Sequence, residues 1–313
     1  MATVNTTSIS PEMQTYYDRQ LLESMKPKLV HYEYAQKRPY KRQNGKTVSF
    51  RKWTPFEPLT SALQEGTIPD GQALSSTEIT AVVAGYGGYV AVSDLLDLTA
   101  IDPVISDAVD LMADQGALSV DTIIRDTLHS TGTNVLYAGG ATSRATVDAT
   151  KKLTTAEIRK AARLLKKNKA LPFVRGGKSY YVAIVGPDTT YDLQSDELWQ
   201  DVAKYQDAEA IFSGEIGRLF GVIFVETSGA MIFENAGASS AHVASTLVLG
   251  QNAYGVVDIE GSSRPRAVVK TPGDSGTSDP LEQISTVGWK VDAFAVKVLQ
   301  QSYMVRIEHG ISE

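Results

Sequence analysis

The chain has no cysteine. That absence removes disulfides, thiolate-bound zinc, iron–sulfur clusters and thiol nucleophiles together, and it fits a reducing cytoplasm. No apolar run reaches the ~18 residues that a membrane-spanning helix needs. Residues 1–10 lack the basic flank and apolar stretch of a secretion signal, so Asn5-Thr6-Thr7 reads as a chance sequon. Histidine is scarce as well. His31, His129, His242 and His309 are scattered, with no His-x-x-x-His pair to hold a metal. Aliphatic residues are missing locally. Between His31 and Thr80 there are six Ile, Leu, Val or Met (Val48, Leu59, Leu63, Ile68, Leu74 and Ile79), whereas Ala81 to Ser130 holds eighteen.

What is present bounds the class. At 313 residues, 42% hydrophobic and 21% charged, the chain is globular and long enough for one large domain or two. The net charge of −6 argues against a general nucleic-acid binder. The charge is unevenly placed. From His31 to Lys52, seven basic residues (Lys37, Arg38, Lys41, Arg42, Lys46, Arg51, Lys52) face one acid, Glu33. The remainder carries 23 basic and 35 acidic residues, a net of −12. A basic arm on an acidic body can dock on another copy of that body. A solvated hairpin with edge-protecting lysines accounts for the charge equally well, and nucleic acid is a third, weaker partner.

The aliphatic-poor stretch still carries strand chemistry. Asn44-Gly45 suits the φ > 0 geometry of a two-residue turn between strand-like runs. Val48 and Phe50 alternate with Thr47, Ser49 and Arg51. A returning strand is expected over Thr77 to Ala84. Such a ribbon buries too little to stay ordered alone. Tyr32, Tyr34, Tyr40, Phe50, Trp53 and Phe56 need cover, and a neighbouring subunit is the economical source.

Elsewhere the pattern alternates helices and strands. Ser10-Pro11 suits a helix start, followed by the stripe Met13, Tyr17, Leu21 and Met25, and Pro27 ends it. Asp102-Pro103 opens the longest helix, to about His129, with a bend expected at Gly116. On it Asp107, Asp110 and Asp114 share one face. With no ligand-rich loop beside them, they read as a solvated or partner-facing stripe rather than a metal site. Thr154-Thr155-Ala156-Glu157 is a capping-box pattern that starts a helix through Lys169. Ser179 to Val185, Gly221 to Thr227, Thr246 to Leu249, Val287 to Val298 and Tyr303 to His309 read as strands, and Asp188 to Tyr205 as partly helical.

Several suggestive motifs fail on context. Gly176-Gly177-Lys178-Ser179 precedes a strand, whereas a phosphate loop must open a helix, so it reads as a connecting turn. Gly85, Gly87 and Gly88 lack dinucleotide-fingerprint spacing and are expected to permit a bend where the ribbon meets the body. Ser49-Phe50-Arg51-Lys52 lies on an extended strand with no pocket. Asp196, Glu197 and Glu215 are carboxylates without visible partners. No set of nucleophile, base and oxyanion donor gathers, so no catalytic, cofactor-binding or metal residue is expected.

Five segments bring a family into view. Leu63 to Gly71 carries Glu65-Gly66-Thr67-Ile68-Pro69. Tyr86 to Ser93-Asp94 leads toward the long helix. Gly186-Pro187-Asp188 is followed by Leu193 and Trp199. Gly214-Glu215-Ile216-Gly217-Arg218-Leu219-Phe220-Gly221-Val222 precedes Glu226-Thr227. Gly288-Trp289-Lys290 stands ahead of the closing strands. In this order they resemble the major capsid proteins of tailed double-stranded-DNA bacteriophages with the Hong Kong 97-type fold, most nearly the group typified by the phage N-four capsid protein.

The resemblance implies an α+β fold. Residues 1–33 would be an N-terminal arm with a short helix, 34–84 an extended hairpin loop, and 85–150 a peripheral domain with the spine helix. Residues 151–270 would be an axial domain and 271–313 the closing strands of the peripheral domain. It implies a structural protein that assembles into pentamers and hexamers of an icosahedral head in the bacterial host cytoplasm. The head would enclose DNA without sequence-specific contact and use a separate scaffolding protein and a portal, with no membrane and no cofactor. The expected subunit-interface residues are Lys41, Arg42, Lys46, Arg51, Lys52, Trp53, Phe56, Asp107, Asp110 and Asp114. An encapsulin-like nanocompartment and a soluble two-domain enzyme are the alternatives.

Overall fold

The apolar positions of the long helix recur every three to four residues, and the helix forms over Val104–Ser130, about 40 Å long at 1.5 Å per residue. The computed structural model describes residues 16, 18–21, 24–25, 28–41, 45–54, 56, 58–60, 62, 66, 71–99, 104–130, 134–175, 177–203, 215–259, 264–270, 272, 280–281 and 283–312. The Asp102-Pro103 start, the Ser10-Pro11 start and most of the 271–279 loop lie outside the described residues.

Val109, Ala113, Ala117, Val120, Ile124 and Leu128 of the helix are fully buried. Gly116 does not interrupt it. A Cβ there would come within 3.0 Å of the Trp289 ring and 3.2 Å of the Met25 methyl. The glycine is therefore a packing device: the indole and the N-terminal segment both press on the helix at that point. Trp289 Nε1 donates to Gln115 Oε1 at 3.0 Å.

Trp289 belongs to a three-stranded antiparallel sheet in which Ile284–Phe294 lies between Arg266–Lys270 and Ala84–Ser93. Gly87 and Gly88 sit inside the last of these strands rather than at a bend. A Cβ on Gly87 would be 2.7 Å from the Trp289 carbonyl oxygen, and one on Gly88 would be 2.7 Å from Gln115 Oε1. Close approach of strand to strand and of strand to helix, not local flexibility, is what these positions require.

The second layer is an eight-stranded mixed sheet. Its main path runs Val135–Tyr137, Met304–Gly310, Val243–Leu249, Lys178–Val185, Val222–Glu226 and Glu215–Leu219. Met231–Phe233 and Phe173–Arg175 attach beside it. Every residue of Val243–Leu249 and Met304–Gly310 is buried, as central strands covered on both faces must be. The strand Met304–Gly310, which the sequence assigns to a peripheral domain with 85–150, hydrogen-bonds to Val243–Leu249 and to Val135–Tyr137. The eight-stranded sheet thus draws strands from 85–150, 151–270 and 271–313 alike.

The helix Thr155–Lys167 packs Ile158, Ala161, Ala162 and Leu165 under this sheet. Its expected capping box does not form. Thr154 makes no side-chain cap bond. Asp196 does the capping instead: it accepts from Thr155 N at 3.2 Å and, with its other oxygen, from Leu198 N at 3.0 Å, at the start of the helix Glu197–Ala203. Gly177, with φ +73°, turns the hairpin between Phe173–Arg175 and Lys178–Val185, as expected for the Gly-Lys-Ser motif.

Three histidines are buried. His129 Nδ1 donates to the Arg125 carbonyl at 2.8 Å, and its Nε2 accepts from Ser245 Oγ at 3.0 Å. His309 Nδ1 donates to the Gly310 carbonyl at 3.0 Å, and its Nε2 accepts from Thr246 Oγ1 at 3.0 Å. Both rings are thus satisfied as neutral imidazoles, and burial pushes each pKa down to about 4. Alongside, the fully buried Glu308 takes two bonds from Arg144, at 2.8 and 2.7 Å. Arg306 Nε lies 3.0 Å from the same carboxylate, angled as an ion pair rather than a hydrogen bond.

Candidate interaction surface

The ribbon is a separate two-stranded sheet. Thr47–Trp53 pairs antiparallel with Ser76–Val82, in register Val48 with Ala81, Phe50 with Ile79 and Arg51 with Glu78. The returning strand is where the sequence places it. The Asn44-Gly45 turn is not the ribbon's tip, however. Gly45 has the positive φ of a turn (+78°), Asn44 is outside the described residues, and the strand before it, Gln36–Arg38, pairs in parallel with Gly255–Val257. Beyond the strands, Thr54 N donates to the Ser75 carbonyl at 3.1 Å.

Strand alternation splits the ribbon into two faces, and one of them has cover in its own chain. Val48, Phe50 and Ala81 pack with Val257 and Ala295. Phe50 is 1% exposed, and Gly255 makes room for it: a Cβ there would be 2.4 Å from the ring. Tyr32 is buried too; its hydroxyl donates to Asp258 at 3.0 Å and accepts from Ile259 N at 3.0 Å. Tyr34 stacks edge-on against Phe173. The expectation that every aromatic of this stretch needs a neighbour is corrected for Tyr32, Tyr34 and Phe50.

The outer half of the ribbon is exposed. Trp53 is 50% exposed and Phe56 57%, with Leu59 and Leu74 also in solvent. The Arg51 guanidinium lies over the Trp53 ring, 5.5 Å from its centre. Lys41, Lys46 and Arg51 are exposed and Lys52 is half-buried. Among the described residues none of the four is ion-paired. Arg42 lies outside the described residues.

The acidic stripe has a different fate. Asp110 accepts from Gln20 Nε2 at 3.0 Å, and Asp114 pairs with Lys28. The N-terminal segment runs along the long helix and buries Leu21, Met25 and Leu29 in the main core. Asp110 and Asp114 are therefore engaged by their own chain, and Asp107 is exposed without such a contact among the described residues. The reason is the apolar stripe at 21, 25 and 29, which carries Gln20 and Lys28 to those carboxylates.

One surface feature escaped the sequence reading. Asp94–Thr99 forms a short helix between the sheet strand and the long helix, with Leu95, Leu96 and Leu98 exposed. Three leucines within six residues at a strand's end was the available signal. Two groups of exposed apolar side chains thus stand out, on the ribbon's outer half and on this helix. Among the described residues, no group of three or more His, Asp or Glu could hold a metal, and no helix is long and apolar enough to cross a membrane.

Residues 120–259 match the family model described as phage capsid protein. No curated protein sequence matches the chain. In three dimensions the chain is similar to the capsid of Ralstonia phage GP4, with a TM-score of 0.73 at 18% identity over 90% of this chain and 88% of that one. It is similar to the capsid protein of Cyanophage Pam1, with 0.66 at 19% identity over 99% and 98%. The SrpI encapsulin of Synechococcus elongatus also matches, at 0.57 and 8% identity over 99% and 94%. The sheets, long helix and ribbon are thus those of the Hong Kong 97-type fold, and residues 120–259 carry the phage capsid signature.

Proposed function

We propose that copies of this chain form pentamers and hexamers that close an icosahedral head around double-stranded DNA. The observation that carries the reading is the divided ribbon. Its root is packed on its own body through Phe50, while Trp53, Phe56, Lys41, Lys46 and Arg51 are exposed, Lys52 is half-buried, and none of these cations is ion-paired among the described residues. A neighbouring copy is the occupant: apolar burial at ~25 cal/mol per Å² supplies affinity before ordering costs, and cations against an acidic body set the register. Arg42 and Asp107 complete the proposed contact set. Reuse of one patch in slightly different settings suits a ribbon that is fixed at one end.

The finer assignments follow the same reading. The group is the N-four type, supported by the ordered segments from Leu63 to Lys290. The long helix with its three-stranded sheet serves as the peripheral part, and the other strands within 151–270 serve as the axial part. A separate scaffolding protein and a portal are the assembly partners. Purification followed by sizing and electron microscopy tests the proposal. Discrete shells or capsomers containing DNA are expected. A stable monomer near 34 kDa that stays dispersed even with its scaffold defeats it, and shells packed with a protein cargo and no DNA assign the chain to the nanocompartment class.

A further inference from the structure

A second charged surface lies far along the chain from the ribbon. Residues 154–169 carry six basic side chains (Arg159, Lys160, Arg163, Lys166, Lys167, Lys169) against one acid, Glu157. The local net is +5 in a chain of net −6, leaving −11 for the rest. The helix Thr155–Lys167 turns its apolar side inward, so Arg159, Arg163 and Lys166, at i, i+4 and i+7, form one exposed stripe. Glu157 is buried and paired with Lys160 at 2.9 Å. Among the described residues no carboxylate pairs with Arg159, Arg163, Lys166, Lys167 or Lys169.

The helix dipole accounts for only part of this. Cations are favoured in the last turn, which explains Lys166 and Lys167. Arg159 and Lys160 sit nearer the other end, and Arg159 and Arg163 repel each other four residues apart. Beside the stripe, the turn from Glu215–Leu219 to Val222–Glu226 uses Phe220 and Gly221, both at positive φ (+53° and +78°). A phenylalanine in the left-handed region is rare. Here it holds a 42%-exposed ring at the helix, with the Arg159 guanidinium 5.1 Å from the ring centre. Helix and turn frame an open groove of about 820 Å³.

We infer that this groove binds the phosphate backbone of nucleic acid without reading its sequence. Two guanidiniums offer bidentate donors to phosphate, the lysines add point charge, and the groove places them along one line. An acidic polypeptide would meet the same charges, but protein interfaces favour apolar anchors and are depleted in lysine. This face is polar, strongly cationic and carries one aromatic ring, which is the character of a nucleic-acid surface. The inference rests on the capsid reading only in naming packaged duplex as the ligand; binding itself needs no shell.

The test measures fluorescence anisotropy of the dilute full-length chain with two unrelated labelled duplexes of about 20 base pairs. Equal affinity for both is expected, with a drop of about 100-fold between roughly 50 and 200 mM salt for about four phosphate contacts. The triple variant R159E/R163E/K166E should flatten the salt slope by about three, with unchanged circular dichroism. An unchanged slope overturns the inference, as does tighter binding of poly-glutamate than of duplex. Loss of binding in K46E/R51E/K52E, with the helix variant still binding, assigns the nucleic-acid contact to the ribbon and also overturns it. Electron microscopy reads the capsid proposal separately: a wild-type chain that forms no shells defeats that proposal and leaves the binding curves to decide this one.

Discussion

Asp121 holds the N-terminal segment to the long helix through His31: one carboxylate oxygen accepts from the His31 backbone N–H at 2.8 Å, and the other lies 2.6 Å from its Nδ1. Both residues are buried, at 4% and 1% exposure. Beside them the Tyr254 hydroxyl donates to the His31 carbonyl. One residue of the segment is thus bonded at its N–H, its carbonyl and its ring, and the segment's apolar stripe at Leu21, Met25 and Leu29 lies in the core on the same side.

Replacing Asp121 by alanine should therefore loosen the whole segment. The buried N–H and ring of His31 lose their acceptor, which costs about 2–3 kcal/mol. Urea unfolding should give a lower midpoint, and hydrogen exchange should rise first at residues 18–33. Unchanged stability in this variant would show that the apolar stripe alone holds the segment.

The two halves of the ribbon should respond in opposite ways. Gly255→Ala puts a methyl into the Phe50 ring and should destabilise the subunit by about 1–3 kcal/mol, through overpacking. The triple reversal K46E/R51E/K52E and the double change W53S/F56S act on exposed or half-buried side chains. They should move subunit stability by no more than about 0.5 kcal/mol while suppressing assembly measured by light scattering. Normal assembly of both outer variants removes the ribbon from the interface.

Acid sensitivity should centre on the two buried imidazoles. His129 and His309 have folded pKa values near 4 because burial disfavours the cation, against 6.5 in the unfolded chain. The unfolded state then binds more protons between these values, so stability is fully present above pH 6.5 and falls as pH drops toward 4. The loss is about 3 kcal/mol for each histidine by pH 4. Arg306 reinforces the shift at His129, whereas Asp192 and Glu308 oppose it at His309. Unfolding midpoints from pH 7 to 4 should fall steeply, and His309→Gln should flatten that fall; a flat profile in the unmodified chain contradicts the burial argument.

Local pattern carried much of this protein. The spacing from Ile105 to Ile124 announces the long helix to within two residues, and alternation around Val48 and Phe50 announces the ribbon's first strand. The shortage of aliphatic residues before Thr80 marks the segment that cannot build its own core. Side-chain period and composition act within a few residues, so they survive without knowledge of the fold.

Partnership was decided only by tertiary structure. Phe50 is covered by Val257 and Ala295, more than two hundred positions away. Asp110 and Asp114 meet Gln20 and Lys28 of their own chain. Thr155 is capped by Asp196 instead of Thr154, and Gly116 serves the Trp289 ring instead of a bend. Each is a contact between distant segments whose geometry depends on sheet register and helix docking, and no periodicity within one segment encodes which remote side chain arrives to meet it.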